Sequence, residues 1–232
     1  MTDPSDSLRR QEILKRAARL FRRSGFERTT VRQIAAALEI TSGSVFYYFE
    51  SKEELLVAIM EDGIRDVHAA VAEGLAAKRG VAEKLLAMAR CHLTALLGSN
   101  LDSLMVLLYE WRSLSPAAMK RVLASRNRYE DLWDRELAAA AARGWVDSDT
   151  VLVRQTVLGA LNWAGQWYRA GSRFGIDALA HRMFAILMPR VHEQLDQGAR
   201  SVPTGSSLPA ALAQSGASPP IFGIQPTGAF SK

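Results

Sequence analysis

The chain has 232 residues and a mass of 25.5 kDa, with 48% hydrophobic and 23% charged residues, a net charge of +5 and a pI near 9.6. That length can bury a substantial core, as one large domain or two small ones. One cysteine, Cys91, excludes an internal disulfide and suits a reducing cytoplasm, and charges interrupt every apolar run before the roughly 18 residues a membrane span needs.

Ala and Leu are abundant, β-branched runs are scarce and no stretch alternates with period two, so the fold class expected is all-α. Residues 1–7 read as a polar, disordered tail, and the charged opening has no apolar core of a signal peptide. From Leu8 a helix is predicted, with Ile13, Ala17, Leu20 and Phe21 on one stripe and Gly25 at its end. Positive charge crowds this region: Arg9, Arg10, Lys15, Arg16, Arg19, Arg22, Arg23, Arg28 and Arg32 are opposed mainly by Glu12, Glu27 and Glu39. A charge run alone is usually a solvated face, so its meaning depends on what it adjoins.

It adjoins residues 29–52, TTVRQIAAALEITSGSVFYYFESK. Thr30 and Gln33 have capping-box spacing, and Val31, Ile34, Ala35 and Leu38 recur at helical spacing. The pattern breaks at Glu39, Ile40 and Thr41, and Thr41 or Ser42 can cap a second short helix running to about Phe49. Two short helices joined by a tight turn match the unit whose second helix enters a DNA major groove. In that helix Val45 and Phe49 face inward, which leaves Gly43, Ser44, Tyr47 and Tyr48 for the other side. Small residues let a phosphate approach the helix start, tyrosine offers a hydroxyl and a ring, and Lys52 adds a charge. Four consecutive aromatics, Phe46 to Phe49, circle a helix and cannot all be core.

Ser51 with Glu54 repeats the capping box, and Leu55, Leu56, Ile59, Met60, Ile64 and Val67 carry a long helix to about Leu75. Lys78-Arg79-Gly80 breaks it. Further helices are predicted over residues 81–97, 101–112, 116–142, 151–169 and 178–197, with Pro116 favourable at a helix start and Pro189 kinking or shortening the last. Residues 201–231 hold no charge and five of the eight prolines, so a disordered tail is expected beyond Ala199. The domains expected are residues 8–52 for DNA, 53–198 for ligand binding and dimerisation, and tails at 1–7 and 199–232.

The helical body suits a small-molecule pocket and a homodimer, since one recognition helix reads only a few base pairs and a two-fold pair reads two half-sites. Val157, Leu158, Leu161, Leu179, Met183, Ile186 and Leu187 are the candidates for the interface. Tyr109, Trp111, Arg112, Arg126, Tyr129, Asn162, Trp163 and Trp167 are candidates for the pocket, because they mix aromatic and charged character in segments expected inside. The bland account of the same residues is a packed core with a Glu110–Arg126 ion pair. No metal-ligand spacing, nucleotide loop or nucleophile elbow occurs, so neither catalysis, metal nor cofactor is expected.

The run TTVRQIAAALEITSGSVFYYFESKEELL resembles the DNA-binding signature of the TetR/AcrR family of transcriptional regulators. That resemblance implies a cytoplasmic, homodimeric protein that binds a double-stranded palindromic operator as a repressor and releases it when a small molecule binds. It places Ser42, Gly43, Ser44, Tyr47, Tyr48 and Lys52 at DNA-contact positions and Thr30 where a phosphate contact is common, and makes the helix after Ser51 the one that couples ligand to DNA; Arg32 and Thr41, in the same stretch, are further DNA-binding candidates. Glu39 departs from the pattern, standing where the family most often has Gly, at a strain cost on the order of 1 kcal/mol. The segments YEWR-x-LSP, R-x-R-Y-E and NW-x-x-x-WY resemble family members that respond to acyl-CoA thioesters. The alternative from another class is a helical binding or scaffold protein without DNA recognition.

Overall fold

The computed structural model describes residues 4–169, 171 and 173–200, and every regular element among them is a helix. The first, α1 (Pro4–Ser24), starts before Leu8, so residues 4–7 are helical where their polarity suggested a free tail. Asp6 explains part of this: it sits favourably in the first turn and accepts a hydrogen bond from the Tyr48 hydroxyl at 2.7 Å. Gly25, at φ 80°, ends α1 with the left-handed turn that glycine takes without strain.

Next come α2 (Val31–Ala36) and α3 (Ser42–Tyr48). The Thr30 capping box forms on both sides, Gln33 N–H donating to Thr30 Oγ1 at 3.2 Å and Thr30 N–H to Gln33 Oε1 at 2.8 Å. Between α2 and α3, Glu39 adopts φ 56°, the only non-glycine with positive φ among the described residues. The strain expected of a side chain in this turn is therefore present, at about 1 kcal/mol. Ile40 N–H closes the turn onto Ala35 O at 3.0 Å. Ile13, Ala17, Phe21, Ile34, Val45 and Phe49 bury together and lock α3 against α1 and α2.

The long helix α4 (Lys52–Ala76) has 25 residues and so spans roughly 37 Å. Its first turns complete the N-terminal core with Leu55 and Leu56, and its later turns enter the C-terminal body through Ile64, Val67 and Val71. That body holds α5 (Val81–Leu97), α6 (Leu101–Tyr109), a single 3-10 turn (Trp111–Ser113), α7 (Pro116–Ala141), α8 (Thr150–Trp167), α9 (Ile176–Leu187) and α10 (Pro189–Arg200). α5 runs through its middle, with Leu85, Met88, Leu93 and Leu96 wholly buried against neighbours that include α4, α7, α8 and α9. Close approach of α8 to α6 needs Gly165: a Cβ there would stand 2.8 Å from Met105 Sδ.

The helix expected at residues 178–197 is two, because Pro189 has no amide to donate and Met188 leaves helical geometry at φ −136°. Val157, Leu161 and Leu179, expected at a dimer interface, are buried in the chain's own core, whereas Ile186 is 78% exposed. Among the described residues no single helix is long and apolar enough to cross a membrane. The expected C-terminal tail falls, from residue 201 onward, outside the described residues.

Three polar links among the described residues join the N-terminal domain and the start of α4 to the body, one of them Ser115 N–H donating to Glu53 Oε1 at 2.6 Å. Arg22 Nη1 bonds Asp102 at 2.8 Å, with Arg19 at 3.6 Å, fastening α1 to the start of α6. Arg121 of α7 reaches Glu54 at 2.7 Å and Glu61 at 3.5 Å on α4. Ser51 does cap α4 through Glu54 N–H, but the Glu54 carboxylate serves Arg121 and not the cap.

Candidate DNA interface and effector cavity

The outer face of α3 is built by default: once Val45 and Phe49 are pinned in the core, residues 43, 46 and 47 must point away. Tyr47 is 74% exposed and Phe46 49% exposed, while Gly43 is open and Ser42 and Ser44 are half-buried at the helix start. Thr41 caps the helix, its Oγ1 accepting Ser44 N–H at 3.1 Å. Phe46 was not among the contacts expected, although its place next to inward Val45 marks it as outward.

Two expected contacts are differently occupied. Tyr48 is half-buried, edge-on to Tyr47 at 5.0 Å, and its hydroxyl is held by Asp6. That hydrogen bond and burial push the Tyr48 phenol above its ordinary value. Lys52 turns inward: Nζ donates to Phe26 O at 3.0 Å and Thr29 O at 3.2 Å, and sits 4.1 Å from the Phe26 ring centre. Its charge is turned to two carbonyls of the loop after α1, of which Phe26 O also accepts Thr29 N–H at 3.1 Å.

The arginine crowd divides as well. Arg19 and Arg22 hold α6, Arg9 pairs with Glu12 at 2.6 Å, Arg28 caps Ser24 O at 2.7 Å and Arg10 lies over the Phe49 ring. Lys15, Arg16, Arg23 and Arg32 remain exposed with no protein partner among the described residues.

In the body, a cavity of ≈ 190 Å³ opens between α4, α5, α6, α7 and α8. Leucines, valines, Ile64 and Met119 form most of its wall, and Trp111, Arg126, Tyr129 and Asn162 line it as expected. Tyr109, Arg112, Trp163 and Trp167 do not; all four are exposed, Trp163 at 62%. Their aromatic character suggested an interior, but the helix positions facing the cavity go to Leu104, Leu107 and Leu108 on α6 and to Leu158 and Asn162 on α8. The Glu110–Arg126 pair does not form. Arg126 bonds Glu130 at 3.0 Å, Glu130 also takes Arg154 at 3.1 Å, and Glu110 accepts from Ser113.

His92, whose only expected significance was its lack of metal spacing, is the polar centre of this wall. It interrupts the α5 stripe of Leu85, Met88 and Leu96, which is the signal that a sequence offers for a buried polar group. Asn162 Oδ1, 3.0 Å from His92 Nε2, can only accept, so Nε2 carries the proton. Nδ1 then accepts from the Tyr129 hydroxyl at 2.7 Å, and the Tyr129 oxygen accepts from Trp133 Nε1 at 2.9 Å. Burial lowers the His92 pKa to about 4, only partly offset by Asn162, and burial pushes the Tyr129 phenol up.

Known proteins match over both parts. Residues 13–59 fit the model of bacterial regulatory proteins of the tetR family, and residues 78–191 fit that of a tetracyclin repressor-like C-terminal domain. The HTH-type transcriptional repressor KstR2 of Rhodococcus jostii is 30% identical over 183 residues, 78% of this chain and 89% of that one. The chain belongs to the TetR family. Like its TetR relatives it is a helix-turn-helix transcriptional regulator and not an enzyme. Among solved TetR-like structures, AibR in complex with isovaleryl coenzyme A and operator DNA is 26% identical, with a TM-score of 0.71 over 78% of this chain and 98% of that one. The superantigen PfiT is 40% identical, with a TM-score of 0.66 over 80% of this chain and 97% of that one.

Proposed function

We propose that the protein is a cytoplasmic, homodimeric repressor that holds a palindromic operator through α3 and releases it when an acyl-CoA thioester enters the cavity. The observation that carries this is shared wall: α4 and α6 line the cavity, and the same two helices pack on α1, which supports the recognition helix. A ligand that spreads α6 from α4 pulls at the Asp102 link and tilts the DNA-binding domain. It shifts that equilibrium only by its differential affinity for the two shapes.

On the operator side, Tyr47 and Phe46 meet the groove, with Thr30, Arg32, Thr41, Ser42, Gly43 and Ser44 set for phosphates and base edges. Tyr48 and Lys52 act one step back, holding α3 and the loop after α1. On the effector side, a groove of ≈ 330 Å³ shares Ile64 with the cavity and is lined by Glu61, Arg65, His68, Ser125 and Arg128. Arg65 is drawn to Asp62 and Asp66, while Arg128 bonds only Ser125 among the described residues. A thioester would lay its acyl group in the apolar cavity and its phosphates towards Arg128, the arginine of this groove that pairs with no carboxylate among the described residues.

The test is fluorescence anisotropy with DNA flanking the protein's own gene, with and without acyl-CoAs of graded chain length. Operator binding lost on adding one of them is the expected result; no binding to that DNA would overturn the repressor reading. A second reading, a helical binding protein that keeps the fold without an operator, is favoured by the likeness to PfiT. Salt-sensitive, sequence-selective DNA binding would exclude it.

A further inference from the structure

We propose that Asn162 is the docking point for a carbonyl oxygen, so that the cavity selects a short neutral acyl group over the same chain without its carbonyl. The proposal deepens the effector reading above and rests on it. Its basis is the direction of one chain of hydrogen bonds. Trp133 donates to Tyr129, Tyr129 to His92 and His92 to Asn162, at 2.9, 2.7 and 3.0 Å. The direction is fixed from the Asn162 end: Oδ1 can only accept, so the neutral His92 donates from Nε2 and accepts at Nδ1, and the Tyr129 proton points to His92 while its oxygen takes Trp133 Nε1–H. The chain ends on the Asn162 amide nitrogen, whose two N–H groups have no protein acceptor among the described residues. Asn162 lines the cavity, so those donors are the terminus the network presents to a guest. A donor on an apolar wall favours a ligand with an acceptor at that point and penalises one without it.

Charge narrows the choice further. Of the lining residues only Arg126 carries a fixed positive charge, and Glu130 neutralises it at 3.0 Å. His92 is neutral, with one nitrogen accepting and the other donating. A free carboxylate in the cavity would lose its water and meet no unpaired cation, whereas a thioester, ester or ketone oxygen asks only for a donor. Size completes the description. A protein cavity of about 150 Å³ holds benzene, so one of ≈ 190 Å³ suits a chain of about five or six carbons. Long chains or fused rings would have to part α4 from α7.

In this arrangement Asn162 touches the ligand, and His92 and Tyr129 are positioning residues that hold its oxygen so that its nitrogen faces inward. Titration calorimetry on the full chain with pentanoyl-CoA, its thioether analogue S-pentyl-CoA, and free pentanoate separates the possibilities. Pentanoyl-CoA is expected to bind about tenfold tighter than S-pentyl-CoA, the effect of one neutral hydrogen bond, and pentanoate far more weakly than either. Asn162→Leu should abolish the preference by weakening the thioester alone. Tyr129→Phe should narrow the ratio of thioester to thioether affinity, whereas a purely structural role for Tyr129 would weaken both ligands alike and leave the ratio unchanged. Asn162→Asp, which keeps an acceptor for His92 but removes the donor, should also abolish it and covers an Asn162→Leu chain that fails to fold. Equal affinity of the unaltered protein for thioester and thioether would overturn carbonyl docking and leave the effector class standing. Binding of neither would remove the effector reading, and this proposal with it.

Discussion

Tyr47 and Lys52 lie five residues apart in one signature and do different jobs. Tyr47 is 74% exposed and its ring meets Tyr48 edge-on at 5.0 Å, so Tyr47→Ala should change the melting temperature little. It should cost operator binding roughly 1–3 kcal/mol, measured by anisotropy against random DNA. Lys52→Ala removes both hydrogen bonds to the loop after α1, so calorimetric melting should fall while the salt dependence of DNA binding keeps its slope. An unchanged melting temperature with a flatter slope would return Lys52 to the phosphates. A lysine's reach is what hid this, because a four-carbon stem at a helix start can turn outward or back under the domain with the same sequence. His92 gives the second prediction at this scale. Its pKa of about 4 lies below the ordinary 6.5, so on acidification the unfolded chain takes up this proton before the folded one does. Stability from the neutral ring is intact above pH 6.5 and is lost as pH falls from 6.5 towards 4, at most by roughly 3 kcal/mol. Denaturation of His92→Gln across that window should show lower stability at pH 7.5 and a shallower acid slope than the parent chain.

Helices announce themselves through residues that end them, and this chain was legible where an end has a local cause. Thr30, Thr41 and Ser51 each accept the amide that their place in the sequence predicts, Pro116 opens its helix, and Gly25 and Pro189 stop helices for backbone reasons. What lies between helices was not legible, because it is decided by residues far apart in sequence. Glu110 and Arg126 are plausible partners on composition, yet Glu130, one turn from Arg126 and close to Arg154, takes the charge. The same holds for the join between domains, where Asp102 gathers Arg19 and Arg22 from 80 or more residues away. If that join transmits the effector signal, Asp102→Asn should leave pentanoyl-CoA affinity within about threefold. The ratio of operator affinities with and without ligand, normally between about 5 and 150 in coupled systems, should shrink by at least threefold. An undiminished ratio would shift the transmission to α4 and its Arg121 contacts.

A repressor's geometry is settled by how two copies meet, and the surface best suited to that carries Trp163 and Trp167, which the sequence suggested for the pocket, beside Ile186, which it suggested for the interface. On α8, Leu152, Thr156, Gly159, Trp163 and Trp167 recur at helical spacing and all are exposed, and Ile186 on α9 stands 78% exposed. Gly159 has nothing within 4 Å of where its Cβ would stand, leaving room for a second helix to come close. Large aromatic residues on the outside of a packed body, with no groove of their own to fill, are what a two-fold interface needs at its centre. The pairing also has to serve the DNA, since two copies of α3 read successive major-groove faces only when held about 34 to 36 Å apart. A Trp163→Asp, Ile186→Asp double variant sets four like charges into that contact once the two-fold axis doubles them. Sedimentation should show the mass falling to that of one 25.5 kDa chain with the helical content kept. Operator affinity should fall by at least a hundredfold, because a single half-site forfeits the partner's contacts, while pentanoyl-CoA, whose cavity lies on the other side of α8, should bind each monomer as before. A variant that stays dimeric would place the interface on another face, and a monomer that keeps full operator affinity would break the link between pairing and reading.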